Sequence, residues 1–475
     1  MVFDDNREFI KALEKTGDVV RVKQEVDWDL QAGAISRRAC ELKAPAPLFE
    51  KIKGYPPGYR LLFNPLATHR RLAASFGLPV EAGVREIQQE YERRIEKPIK
   101  PVIVKSGPCK ENTLEGDKVD LLHFPVPMIH EGDGGRYIGT WHLVIARDPD
   151  TGWTNWGMYR MMAYNRRFTG GGWHRQNHHG RLFYGKYAPR NMPMPVAVAI
   201  GADPLSSLIA SAPVRAGEDE ADYAGALRQK PVELIKCDTC DILVPAQSEI
   251  ILEGVINPGA WVTEGPFGEF PGYRVPERSV TPAFEVKHIT FRKDPILTGS
   301  CLGILADDGS VASSLTGAVA LKKRLKDWGI PVTDVYVPPE AASLLVVVGV
   351  KALYANVATQ VKNIIHSRWQ WWNKVIIVED DVDVFNMGEV LHAFATKCHP
   401  VRGITVSDKD VALTLTPFLS PEERKWAKGA AVAFDCTWPV DWPRDTAVPR
   451  RMSFNEVYPE EVKAQVLKEW KEYGF

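Results

Sequence analysis

Near residue 303 the hydrophobic pattern of this 475-residue chain changes period, and that change constrains the fold more than any other feature. Before it, over 117–292, short apolar runs such as WHLVIAR, PVAVAIG, IILEGVI and FEVKHITF recur between turn residues. Short strands at such intervals favour a β-rich barrel or sandwich over a parallel α/β sheet. After it, VTDVYVP, SLLVVVGVK and KVIIVEDD alternate with the helical stretches VATQVKNIIHSRW and MGEVLHAFATKC, the mark of an α/β layer. At the start of the chain Phe9, Ile10 and Leu13 keep helical spacing until Gly17 and Asp18 break it ahead of the alternating VVRVKQEV. The expected fold is therefore α+β and multidomain. An N-terminal α/β region (1–110) and a C-terminal α/β domain (306–475) flank a β-rich central domain (111–305), and PEEVKAQVLKEWKEYGF forms a terminal docking helix.

Charge and composition narrow the function. The formal net charge is −1 and no long run of one sign occurs, which argues against a nucleic-acid surface or a polybasic membrane anchor and leaves small-molecule chemistry. The start MVFDDNREFIKAL is charged where a signal peptide would need an apolar stretch, and no apolar run reaches the ~18 residues of a membrane span, so a cytoplasmic protein is expected. Seven scattered cysteines suit reduced thiols. Cys237 and Cys240 form a CxxC between the strand-like VELIK and ILVPA. Without a second pair or a following helix, that motif reads as a structural turn rather than a zinc or thioredoxin-like site.

Four segments could carry chemistry. EGPFGEFPGY sets Glu264 and Glu269 among three glycines and two prolines, which forbids a regular helix or central strand. Two acids on a shaped turn can be aimed at one point for proton transfer, although a solvated loop with idle glutamates fits the same residues. TNWGMYRMMAY offers Arg160 as a fork for a carboxylate, or simply a strand with Arg160 facing solvent. GGGWHRQNHHGRLFYGKY brings His174, His178 and His179 near three glycines, compatible with a metal or phosphate role but with no established zinc spacing. Finally Glu379, Asp380, Asp381 and Asp383 follow an apolar strand. They could hold magnesium, and capping of the next helix is the preferred reading.

Together and in this order, these segments resemble the UbiD family of prenylated-FMN-dependent decarboxylases and reversible carboxylases, in its vanillate and 4-hydroxybenzoate decarboxylase branch, along the whole chain. The resemblance implies a central split β-barrel that binds prenylated FMN. NWGMYR is similar to the family strand that begins with a metal-binding Asn and ends with the substrate-facing Arg, here Asn155 and Arg160. Asn177-His178 matches the family's Gln-His, so His178 and not His179 takes the ligand role. The segment DEADYAGAL makes Glu220 the third ligand of a manganese or magnesium ion that bridges to the cofactor phosphate. Potassium would be held by main-chain carbonyls of Ala210, Ser211 and Ala212. Trp156, Met158, Tyr159, Arg160, Asn177 and Ala212 join the ligands Asn155, His178 and Glu220 around the cofactor.

EGPFGEFPGY implies that Glu264 and Glu269 are the catalytic carboxylates, coupled to Arg160. In that scheme Arg160 orients the substrate carboxylate, Glu269 donates the proton and Glu264 holds Arg160. Two departures stand out. Asn177 replaces Gln, and Thr359 stands where family members often carry a cofactor-binding Lys, with Lys362 one helical turn later as its substitute.

The expected function is reversible, non-oxidative decarboxylation of an aromatic or other α,β-unsaturated acid, with carbon dioxide as co-product. A flavin prenyltransferase would supply the cofactor, and the chain would form a homo-oligomer, a dimer or hexamer. Carboxylation of a phosphorylated or CoA-linked aromatic, or a role as the cofactor-binding subunit of a larger complex, are the alternatives. Trp369, Trp371 and Trp372 are candidates for an aromatic pocket, equally for a core or subunit interface.

Overall fold

The computed structural model describes residues 3–275, 278–367 and 371–475. Its centre is a nine-stranded sheet. The strand path runs Tyr137–Gly139, Met161–Ala163, Phe168–Gly171, Ser279–Phe291, Ile250–Glu264, Met194–Ile200, His142–Arg147, Thr154–Gly157, with Asn112–Glu115 also on Ser279–Phe291. Thr154–Gly157 and Met161–Ala163 are six steps apart on that path yet only three residues apart in the chain. Laid flat, six steps would separate them by about 29 Å, whereas the link from Gly157 to Met161 reaches about 14 Å at most. The sheet must curl into a half-barrel. Arg160 lies in the three-residue link that closes its mouth.

Alternation along the strands covers both faces. In His142–Arg147, Leu143 and Ile145 join a core that includes Phe9, Ile10 and Leu13 of the first helix (Asn6–Lys15), while Val144 and Ala146 join a second core with Phe124, Phe183 and Phe284. That first helix follows the spacing read from the sequence, with Asp5 as its N-cap. The N-terminal strands Val19–Val22, Ala46–Phe49 and Arg60–Phe63 make a four-stranded sheet completed by Ile296–Gly299 from much later in the chain.

The helix Asp308–Asp327 leads into a five-stranded sheet in the order Val332–Tyr336, Leu345–Val350, Lys374–Glu379, Lys428–Cys436, Ile404–Val411. Its three inner strands are parallel, as the strand–helix alternation requires. The acids after Lys374–Glu379 do not cap the next helix. Asn386 caps Met387–Lys397, because only its side chain reaches the Gly388 and Glu389 N–H groups. Glu379 instead pairs with Arg444 (2.8 Å), Asp381 with Lys397 (2.6 Å) and Asp383 with Arg85 (2.8 Å). Cys237 and Cys240 lie at the turn between Glu233–Lys236 and Leu243–Pro245, where Glu253 accepts the Asp238 and Thr239 N–H groups (3.0 and 2.8 Å).

Among the described residues no helix is long and apolar enough to cross a membrane. The segment from Phe454 onward buries none of its side chains, and Leu467, Trp470 and Phe475 stand exposed. Trp369 lies outside the described residues. Trp372 is buried in the C-terminal core, and the Trp371 ring lies tilted against Phe270 of the EGPFGEFPGY turn, centroids 5.3 Å apart.

Candidate active site

The long hairpin of Ile250–Glu264 and Ser279–Phe291 ends at the barrel mouth, so Glu264 closes the strand and Glu269 projects from the turn beyond it. Gly265, at φ +84, supplies the left-handed backbone that turns the chain sharply after Glu264. Arg160 was read as the last residue of a strand, but the strand stops at Gly157. Tyr159 folds back over Gly157, where any Cβ would strike the Tyr159 ring, and the backbone leaves the sheet there. That break frees Arg160 to reach across the mouth.

One guanidinium joins both acids. Arg160 Nε and Nη2 donate to the two oxygens of Glu264 at 2.8 Å each, and Nη1 donates to Glu269 Oε1. The Tyr137 hydroxyl donates to Glu264 Oε1 at 2.8 Å and Ser279 Oγ to Oε2 at 3.3 Å. Glu264 is 1% and Glu269 6% exposed, so little water competes for these charges.

The electrostatics separate the two acids. Burial alone would raise the Glu264 carboxyl, but the hydrogen bonds and charge of Arg160, with the Tyr137 bond, hold it below the ordinary carboxylate range. Burial raises Glu269, the Arg160 charge only partly offsets this, and the Glu264 charge adds to the rise. The two neighbouring carboxyls are thus pushed in opposite directions, Glu264 toward its anion and Glu269 toward its acid. Burial works against the Arg160 charge, yet Glu269 and Glu264 together raise its pKa, so it stays protonated.

A second cluster lies on the outer side of the last strand. Asn155 Nδ2 donates to Glu220 Oε1 at 2.5 Å and the Trp156 N–H to Glu220 Oε2 at 2.8 Å. Asn155 Oδ1 is enclosed without a hydrogen-bond partner, and burial pushes the Glu220 carboxyl up to about 8. An orphaned amide oxygen beside a buried carboxylate fits a hard divalent cation.

His178 stands half-buried at the start of the helix His178–Leu182, edge-on to Trp153 at 5.4 Å, and the Trp153 indole N–H donates to the Glu218 carbonyl at 2.9 Å. His179 is fully buried with Nε2 3.1 Å from the Asn155 carbonyl. Asn177 has both ends of its amide committed, to Gly172 O and to the Gly180 N–H, at 2.7 Å each.

The Trp156 ring is buried in the core, so it offers the site its backbone; Met158 packs partly buried against that core and Tyr159 against the one on the other face. Ala212 follows the helix Pro204–Ala210. Lys362 lies on the helix Val357–His366, one turn after the exposed Thr359.

Sequence reasoning missed Tyr137, which the single hydroxyl contact to Glu264 brings into the site, and the turn HEGDGG before it. Its dense His, Asp and Gly content just ahead of a short strand was the available signal.

Family profiles for 3-octaprenyl-4-hydroxybenzoate carboxy-lyase match as the N-terminal domain over 10–91, the Rift-related domain over 100–304 and the C-terminal domain over 311–436. The chain belongs to the UbiD family of carboxy-lyases. It is 33% identical to pyrrole-2-carboxylic acid decarboxylase of Pseudomonas aeruginosa, over 99% of this chain and 98% of that one. It superposes on the closed form of vanillic acid decarboxylase from Sedimentibacter hydroxybenzoicus with a TM-score of 0.90, at 30% identity and full coverage of both chains. An evolved dimeric form of HmfF from Pelotomaculum thermopropionicum, solved with prFMN, is 28% identical with a TM-score of 0.79, over 93% of this chain and 96% of that one.

Proposed function

We propose that this protein catalyses the reversible, non-oxidative decarboxylation of an aromatic or other α,β-unsaturated carboxylic acid with prenylated FMN. The observation that carries the reading is the buried guanidinium of Arg160 bridging Glu264 and Glu269, whose surroundings push the first carboxyl below and the second above the ordinary carboxylate range. Removing carbon dioxide from an aromatic ring leaves charge in the ring plane that side chains cannot delocalise, and the bound prenylated flavin supplies the electron sink.

Three of the five Arg160 N–H groups are used by the two glutamates, leaving two for a substrate carboxylate. Glu264 holds the guanidinium flat and balances its charge, since a buried arginine without a carboxylate is costly. Glu269 delivers its proton to the carbon that the carboxylate leaves, and in the carboxylation direction takes it back. Beside Arg160 the wall is bare backbone: the Gly172 N–H donates to the Arg160 carbonyl at 3.2 Å, and a Cβ at Gly172 would meet nothing nearer than 3.8 Å. Such a wall suits a planar ring.

Asn155, Glu220 and His178 would hold manganese or magnesium against the cofactor phosphate, and the carbonyls of Ala210, Ser211 and Ala212 would hold potassium. Trp156, Met158, Tyr159, Asn177 and Ala212 complete the cofactor surround. We place the protein in the cytoplasm, supplied by a flavin prenyltransferase, as a homo-oligomer of three-part chains (1–110, 111–305, 306–475) whose exposed C-terminal segment docks on a second copy.

The test is Glu269→Gln, which keeps size and hydrogen bonding but removes the transferable proton. Turnover is expected to fall at least ~100-fold, and solvent deuterium incorporation with it, while flavin and metal contents stay at wild-type levels. Normal turnover in Glu269→Gln with loss in Glu264→Gln would reverse the two roles. Equal activity in protein made with and without the prenyltransferase, and with no flavin bound, would refute the cofactor assignment.

A further inference from the structure

The turn that carries Glu269 is seated on a second turn, 130–134. Asp133 Oδ1 accepts the Gly268 N–H at 2.8 Å, in the Phe267–Gly268 peptide one residue ahead of Glu269. The Gly134 N–H donates to Pro266 O at 2.6 Å, and any Cβ on Gly134 would collide with the Gly265 carbonyl, so backbone meets backbone there. The Arg274 guanidinium donates to the Glu131 carbonyl. The His130 ring lies edge-on to Phe267 at 6.1 Å and so close to Gly268 that a Cβ there would sit 2.5 Å from Nδ1.

Asp133 is oriented from behind. Its side chain has no exposed surface, and Oδ2 accepts the His130 N–H at 3.2 Å and faces His130 Nδ1 at 3.1 Å. On its other side His130 Nε2 meets the Leu302 carbonyl at 2.9 Å, which ties the assembly to the segment leading into the C-terminal sheet. Among the described residues the Asp133 side chain thus hydrogen-bonds to the turn that carries Glu269 and to His130, the residue that orients Asp133 itself.

We propose that Asp133, held by His130, is the positioning residue for Glu269: it fixes the Phe267–Gly268 peptide, one residue ahead of Glu269, and thereby the direction in which this carboxyl points. The proposal rests on Glu269 being the proton donor. The charged and titratable groups facing Glu269 are Arg160 from the link after Thr154–Gly157, Glu264 from the strand end, and Asp133 from the turn beneath, with the Tyr137 hydroxyl behind Glu264. Of these, Asp133 and Glu264 add negative charge, which favours the protonated carboxyl.

Two variants separate position from charge. Asp133→Asn keeps the size and an oxygen for the Gly268 N–H; Asp133→Ala keeps neither. In the loaded enzyme, Asp133→Ala is expected to lower kcat about 10- to 100-fold, with KM within about threefold and unchanged flavin and metal contents. In cofactor-free protein labelled with carbon-13 glutamate, the Glu269 carboxyl, assigned by its loss in Glu269→Gln, is expected to titrate at lower pH in Asp133→Asn than in wild type. The proposal is overturned if both variants keep wild-type kcat and an unmoved Glu269 titration, or if kcat falls only in proportion to the folded fraction read by circular dichroism. A Glu269→Gln enzyme with wild-type turnover would instead refute the donor reading, whatever the Asp133 variants do.

Discussion

Arg160→Lys keeps the positive charge and removes only the fork, so it isolates what the guanidinium geometry contributes. In the native site three N–H groups contact two carboxylates, two on Glu264 at 2.8 Å and one on Glu269. A lysine ammonium is a single point on a flexible stem and cannot span both acids while presenting paired donors to a substrate. At least two charge-assisted hydrogen bonds are lost, each worth about 1.5–3 kcal/mol, or about 3–6 kcal/mol together. If that stabilisation is realised in the transition state, kcat/KM falls about 150- to 25,000-fold. Folding should suffer less, because the acid left without a partner can take up a proton. Steady-state carbon dioxide release by cofactor-loaded protein measures the first effect; thermal unfolding and flavin content measure the second. An Arg160→Lys enzyme within tenfold of wild type, with flavin bound, would refute the claim that the bridge between the two acids is what Arg160 supplies.

Tyr137→Phe removes one hydrogen bond to a carboxylate and leaves the packing of its ring on Phe267 (4.1 Å) intact; kcat should drop roughly 10-fold or more with little change in melting temperature. Glu264→Gln tests the acid limb of stability. Because the folded Glu264 pKa is depressed, its contribution is full above the ordinary carboxyl value of about 4.3 and is lost as pH falls through the depressed value, so thermal unfolding of wild type should steepen its decline below about pH 4 more than that of Glu264→Gln. For the metal, His178→Ala and Glu220→Ala should lose the divalent ion by elemental analysis while His179→Ala keeps it; the reverse result would move the ligand role by one residue.

What the sequence disclosed follows from how local each feature is. The first helix, the alternation in His142–Arg147 and the parallel inner strands of the last sheet are set by periodicity over a few residues, and each forms where its pattern lies. The end of the strand after Asn155 was hidden, because the residue types of NWGMYR read as one strand and only the Tyr159 ring folded over Gly157 reveals the break. Capping went to the wrong residues for a similar reason. Four acids resemble caps by type, but the distance to the first free N–H groups selects Asn386. The site itself joins Arg160 to Glu264 across 104 residues and Glu220 to Asn155 across 65. No period in the chain encodes such contacts, so only the resemblance could anticipate them, and it said nothing of the turn beneath Glu269.

The two glutamates show why that turn matters. Both are buried and both touch the same guanidinium, so charge alone would make them alike. They differ in what else binds them. Glu264 collects two Arg160 donors, the Tyr137 hydroxyl and Ser279, which together stabilise its anion. Glu269 has a single Arg160 donor against the same burial, with the Asp133 and Glu264 charges opposing its ionisation. Environments that push two neighbouring acids in opposite directions assign the acid and the base of a site, and here the difference is built from one strand end that is heavily solvated by protein donors and one turn that is held by its backbone. A carboxyl aimed through the backbone of its turn commits fewer donors to its oxygens and leaves more room for the proton it must transfer, whereas one held through both oxygens, as Glu264 is, anchors the guanidinium.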